Sequence, residues 1–291
     1  MGSRLAGKVA LVSGGGRGIG RAVALLLAEE KASVVVNDLG CEVDGTGSSR
    51  EPSDSVVAEI AGRGGKAVAS YQDASTMAGG EAMVQKAVEA YGRLDILVNS
   101  TGVRQDRMIF QMMPEEWDAV IRNTLKAAFI TTRYACAVMR QQRSGRIVNL
   151  TGDAGLGAIG MSNQAAAAEG VIGLTRTVAR DMGRYNVTCN AVSATARTRL
   201  FPSMVEQAEM GARYAPGDAD SVAPLVVYLC TGGAPNANGY VFGVRGGDIY
   251  VYTNPEIGRS IFKRDLFTLD ELEDLVPRTI SKGMRNTWAT G

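Results

Sequence analysis

Histidine does not occur anywhere in the 291-residue sequence. The commonest general base and the commonest metal ligand are thereby excluded, so any proton transfer must use carboxylates, tyrosine, lysine, cysteine, water or the substrate itself. Cysteine is sparse: Cys41, Cys136, Cys189 and Cys230 are scattered, with no CxxC pair and no metal-ligand spacing. A disulfide framework and a zinc site are therefore not expected. Neither sign of charge is in excess, with 31 basic against 30 acidic residues and a net charge of +1. Such a balance leaves no electrostatic footprint for nucleic acid or an anionic membrane surface, and a small-molecule ligand is the expected partner. Long hydrophobic runs are also missing, since none approaches the ~20 residues that span a bilayer. The first strand begins near Lys8 with no charged-then-apolar leader before it, and a cytoplasmic protein is expected.

What is present is a chain with 45% hydrophobic residues and 36 glycines, enough to bury the core of one large α/β domain. Short apolar, β-rich runs alternate with longer segments of helical period, the pattern of βαβ units around a parallel sheet buried on both faces. Strands are expected over residues 8–13, 33–37, 66–71, 94–99, 146–150, 186–192 and 240–244. Helices are expected over 21–30, 55–62, 80–91, 117–139 and 165–182. The polar stretch 40–54 (GCEVDGTGSSREPSD) reads as an inserted, solvated loop. One domain over residues 1–252 is expected, followed by an extension, 253–291, packed on that domain or on a sister subunit. In that extension a helix is expected over 268–275, with Thr268 as cap and Glu271 three residues on. The aromatics Tyr250, Tyr252, Phe262, Phe267 and Trp288 suggest packing there.

The turn SGGGRGIG lies directly between an apolar strand and a helix. Gly14, Gly18 and Gly20 allow a tight turn there, and with Arg17 and Ile19 they bring backbone N–H groups toward a pyrophosphate at the positive end of the helix. Asp38 closes the second strand ~20 residues on, placed to accept from a ribose 2′-hydroxyl and to repel a 2′-phosphate. NAD(H) is favoured, with Arg17 as a compensating ligand that keeps NADP(H) open. The fold class that follows is α/β, a doubly wound (Rossmann-type) parallel sheet with helices on both faces.

Further motifs are the NSTG segment at Asn99 to Gly102, Asp73 after the third strand, Asn123 before LKAAF, GRIVNLTG, and EGVIGLTRTVAR. With them the chain resembles the short-chain dehydrogenase/reductase family over residues 7–247. VVNDLG with its long loop, GGKAVA, the DRM segment at Asp106 to Met108, and APLVVYLC are similar to the dehydrogenase portions of multifunctional β-oxidation enzymes and related steroid or acyl-CoA dehydrogenases. The resemblance implies an adenine contact at Asp73, further cofactor contacts at Asn99 and Gly102, and a bulky hydroxyacyl or polycyclic substrate. It also implies pairing of subunits, as a homodimer or homotetramer or as a hetero-oligomer with an active paralogue.

The same resemblance exposes a departure. The family uses a Tyr as acid/base, a Lys four residues later, a Ser on the substrate oxygen and an Asn holding a relay water. Here the Tyr position falls on Gln164 and the Lys position on Ala168, and neither an amide nor a methyl group can take those roles. The Ser position falls on Gly152 or on Thr151, depending on the anchor. Asn123 stands at the relay position, where it either holds that water or braces the helix backbone. Ala194 and Thr195 replace the family's usual proline segment. Asp153, with a raised pKa or as a turn cap, and Arg104, as a pocket residue or a solvent-facing charge, complete the polar candidates. Glu169 points away, and Tyr71, Tyr91, Tyr185 and Tyr214 lie too far along the chain to substitute. Three functions remain open: a repurposed enzyme with non-redox chemistry, an oxidoreductase with a non-standard proton donor, and an inert partner subunit.

Overall fold

The structure is a computed structural model and describes residues 2–201 and 217–285; Tyr214 and Trp288 lie outside the described residues. Among the described residues nine strands form one sheet: β1 (Val9–Ser13), β2 (Ser33–Asn37), β3 (Lys66–Ser70), β4 (Ile96–Asn99), β5 (Gly145–Thr151), β6 (Val187–Arg197), β7 (Gly217–Asp218), β8 (Val241–Arg245) and β9 (Asp248–Val251). The order is β3-β2-β1-β4-β5-β6-β8-β9, with the short β7 beside β6. Every described pairing in the sheet is parallel except the β8–β9 hairpin.

The helices are α1 (Gly18–Glu29), α2 (Glu51–Gly62), α3 (Met77–Tyr91), α4 (Pro114–Val120), α5 (Ala127–Gln142), α6 (Ser162–Gly183) and α7 (Ala223–Cys230). Strand β1 shows why they cover both faces. All five of its residues are buried. Ala10 and Val12 pack in one cluster with Val23 and Leu27 of α1 and Val226 of α7, while Val9 and Leu11 pack in another with Met83 of α3, Met139 of α5 and Val178 of α6. Alternation along one strand thus feeds two cores. Because β1 pairs with both β2 and β4, the chain reverses its winding at β1, and the crevice outside the carboxyl ends of these strands is where such folds bind ligands.

Several boundaries differ from expectation. Helix α2 starts at Glu51, with a proline in its first turn, so the loop ends earlier than 54. Helix α3 starts at Met77, because the Thr76 side chain accepts from Gly79 N. The long helix of 117–139 is α4, a π-helical stretch (Ile121–Lys126) and α5. Strand β6 runs on to Arg197, and α7 and β9 are additional elements. Loop 40–50 is not merely solvated: Val43 O accepts from Arg104 N at 2.9 Å, Asp44 O accepts from Gln105 Nε2 at 3.1 Å, and Cys41 packs beside Val103 and Val120.

The chain divides into two compact units, Met1–Tyr252 and Thr253–Gly291. The second holds α8 (Leu269–Arg278), where the Thr268 side chain accepts from Glu271 N and the Glu271 side chain accepts from Thr268 N. Within it Lys263 Nζ binds Glu271 Oε1 at 2.7 Å, and the Phe262 ring is exposed. Among the described residues no helix is long and apolar enough to cross a membrane.

Candidate functional site

A cleft of about 280 Å³ lies outside the carboxyl ends of the strands, lined at one end by Gly14, Arg17, Gly18, Ile19, Asp38, Asp73 and Gly102. Gly14 has φ +68°, and a Cβ there would stand 2.6 Å from Ser100 O, so the turn after β1 needs glycine twice over. A Cβ on Gly20 would meet Gly14 O at 2.0 Å; this glycine sits behind the lining and lets α1 close on the turn. Arg17 stands at the N-cap of α1 with no side-chain cap, leaving the helix's first-turn N–H groups for another acceptor. Its guanidinium donates to Cys41 O at 3.0 Å, and Arg199 reaches the same carbonyl at 2.9 Å.

Asp38 is fixed by Gly16 N at 3.0 Å on one oxygen and Gly40 N at 2.8 Å on the other. Asp73 accepts from Ser75 N and Oγ, at 2.8 and 2.7 Å, which closes the turn before α3. Asn99 corrects the expectation of a cofactor contact. It is buried behind the lining, accepting from Ser13 Oγ and Thr131 Oγ1 and donating to Thr132 Oγ1 and Asn149 Oδ1. Its side chain braces β4 against β1 and β5. A glycine turn with a bare helix N-terminus and a fixed carboxylate at the tip of β2 fits a dinucleotide. Gly14 to Ile19 would hold the pyrophosphate and Asp38 a ribose.

The other end of the cleft is lined by Asn123, Thr124, Thr151, Gly152, Asp153, Gln164, Ala168, Thr195 and Arg245. Gln164 Nε2 donates to Val103 O, and Thr151 Oγ1 donates to Ala168 O at 3.2 Å. Asn123 lies in the π-helical stretch, a device common at functional sites, and its Nδ2 donates to Ala119 O at 2.8 Å. It braces the backbone and lines the cleft at once. Among the described residues no lysine and no tyrosine lines the cleft.

Two expectations are corrected here. Asp153 does not have a raised pKa. Burial acts to raise it, but hydrogen bonds from Ser193, Tyr252, Thr195 and Arg245 outweigh burial and hold the carboxyl below its ordinary value. Thr195 Oγ1 donates at 2.8 Å, Tyr252 Oη at 2.7 Å and Arg245 Nη2 at 3.0 Å, and Ser193 Oγ also donates. Burial, Tyr250 and Asp153 together push the Tyr252 hydroxyl well above the usual tyrosine range. Arg104 is neither solvent-facing nor part of the lining. It pairs with Asp106, donates to Leu200 O at 2.8 Å and stacks over the Phe201 ring at 4.5 Å, pinning the segment after β6.

Ser193, Thr195, Arg245 and Tyr252 were not candidates in the sequence. Gly246–Gly247 between VFGVR and DIYVY was the available signal, since two glycines joining apolar runs mark a two-residue hairpin. That hairpin brings Tyr252 back to Asp153.

Strand order, glycine turn and crevice define a doubly wound, nucleotide-binding type of α/β protein. A family model described as short chain dehydrogenase matches residues 8–207, and the chain belongs to that family. It is similar to Hydroxyacyl-CoA dehydrogenase ChsB1 of Mycobacterium tuberculosis, at 39% identity over 281 residues, 92% of this chain and 86% of that protein. Peroxisomal multifunctional enzyme type 2 of Mus musculus is 38% identical over 228 residues, 78% of this chain and 30% of that longer protein. A crystal structure of a short chain dehydrogenase from Mycobacterium avium matches with a TM-score of 0.84 at 39% identity, covering 96% of each chain.

Proposed function

We propose that the chain binds a nicotinamide dinucleotide and acts on a small molecule without the tyrosine–lysine pair of its family, by non-redox or otherwise non-standard chemistry. One observation carries this reading: Gln164 and Ala168, at the positions the family resemblance gives to that pair, line the same cleft as Gly14 and Asp38. The amide of Gln164 is engaged with Val103 O and does not ionise, and Ala168 carries no charge to lower a neighbour's pKa. Glycine turn and missing proton machinery therefore share one site. Asp38, fixed at the tip of β2, supports a preference for NAD(H) over NADP(H). The bound dinucleotide supplies a nicotinamide able to exchange hydride. Gln164 and Asn123 shape the pocket beside it, and Thr151 offers a hydroxyl near the absent pair, bonded at rest to Ala168 O.

The names of the Mycobacterium tuberculosis and Mus musculus relatives support a hydroxyacyl or similarly bulky substrate. Phe129, exposed on α5, supports assembly through that face into a homo-oligomer or with an active paralogue. A second reading, hydride transfer with Thr151 or water as proton donor, is favoured by the Thr151 hydroxyl in the lining. Deuterium-labelled NADH separates the two. Label in the product establishes hydride transfer, and turnover of substrate without label establishes non-redox chemistry. The double variant Gln164→Tyr, Ala168→Lys gains carbonyl reductase activity if only the proton machinery is missing.

A further inference from the structure

We propose that Arg245 anchors the substrate at the reacting end of the cleft, and that the group it holds is a carboxylate. This rests on the dinucleotide reading above, which places substrate at the end of the cleft away from Asp38.

Thr195 and Arg245 are register partners on β6 and β8, so their side chains leave the same face of the sheet, and both meet Asp153. Oδ1 of Asp153 accepts from Ser193 and Tyr252, and Oδ2 from Thr195 and Arg245. An ionised carboxylate offers about four acceptor sites, so Asp153 has none left for a ligand. Four nearby hydroxyls are committed, three on Asp153 and that of Thr151 on Ala168 O, and the unpartnered Oγ1 of Thr124 is buried. Gln164 has committed an N–H to Val103 O.

Arg245 differs from all of these. Its Nη2 engages Asp153, its Nε is buried out of reach of a cleft ligand, and among the described residues its Nη1 has no hydrogen-bond partner, which leaves Nη1 as the free donor. Arginines in this protein pair with carboxylates in both ways: Arg21 on Glu59 and Arg278 on Asp274 use Nη2 alone, as Arg245 does, whereas others use the fork in full. Arg93 puts Nε and Nη2 on Asp95, and Arg197 puts both on Asp218. At Asp153 the tyrosine at the end of the β8–β9 hairpin and the two β6 hydroxyls occupy the sites a fork would take. They leave a planar, permanently charged donor in the cleft lining with capacity to spare. Guanidinium donors match the geometry of a carboxylate and form strong charge-assisted bonds with it. Ala154, Ala158 and Met161 line the cleft nearby with apolar surface, which suits a carboxylate carried on an apolar body.

The test uses the full chain with NADH and three probes that share a six-carbon chain: hexanoate, its methyl ester and hexylamine. Binding is followed by the change in NADH fluorescence and in thermal midpoint. The account predicts that hexanoate binds about tenfold more tightly than ester or amine, the loss expected when a charge-assisted bond is removed. Arg245→Gln then abolishes the preference and Arg245→Lys keeps part of it. Should Arg245→Gln not fold, the three probes on wild type and Arg245→Lys decide alone. Equal binding of ester and hexanoate to the wild type, or a preference that survives Arg245→Gln, overturns the proposal. NADH titration of each protein is read separately. Absence of NADH binding overturns the underlying reading, whereas NADH binding without carboxylate preference overturns only the assignment of Arg245.

Discussion

Asp153 gives all four of its acceptor sites to the protein, and its behaviour follows from that. Its folded pKa is lowered, so its stabilisation is present above the unfolded value of about 3.9 and disappears as pH falls through the folded value. The difference in melting temperature between wild type and Asp153→Asn should be widest near neutral pH and should narrow below about pH 4. A gap that widens on acidification contradicts the network. Asp38 makes a different prediction. Asp38→Asn keeps the shape but loses the charge facing a ribose, so calorimetry should show NADH affinity falling about tenfold and discrimination against NADPH shrinking. Residue types alone raise the expectation at Asp38, because a carboxylate a fixed distance after a glycine turn suits a ribose contact. Asp153 was misread because its partners come from β6 and from a hairpin ~100 residues away, and only the fold shows that they converge.

Hairpin β8–β9 is the element on which that convergence depends. Gly243 faces Tyr250 across it, and a Cβ on Gly243 would stand 2.1 Å from the ring. Gly243→Val must therefore push Tyr250 off its edge-on contact with Tyr252, whose ring centroid lies 5.4 Å away. Urea denaturation should show a loss of about 1–3 kcal/mol, typical of overpacking. A neutral effect would mean that the hairpin is loosely packed. The parallel strands were legible because apolar runs of four to seven residues between helical segments have few other readings. Strand β9 was not, because DIYVY follows a turn so short that it merges with the strand before it. Helix starts were misplaced at α2 and α3, where a first-turn proline and a threonine cap, rather than hydrophobic period, set the boundary.

At the scale of the molecule, every described residue lining the cleft lies within the unit Met1–Tyr252. A chain ended a few residues beyond Tyr252 should fold and bind NADH within about twofold of the full chain, as a unit with its own core does. Loss of binding on truncation would assign the second unit a part in the site. The architecture was readable, and a cofactor end is expected at the glycine turn because pyrophosphate recognition uses backbone and glycine, which leave a compact mark in sequence. At the reacting end the sequence offers only an expectation, Gln164 and Ala168 where the family resemblance puts an acid and a cation, and the Asp153 network beside them is assembled from distant strands.

The most direct test of the central claim, a dinucleotide site joined to a pocket without the tyrosine–lysine pair, is titration of cofactor-stripped protein with NADH and NADPH by fluorescence and calorimetry. The account predicts dissociation constants on the order of micromolar for NADH and weaker binding of NADPH, as a fixed carboxylate at the ribose position requires. Binding of neither nucleotide would contradict it, leaving the glycine turn as architecture alone.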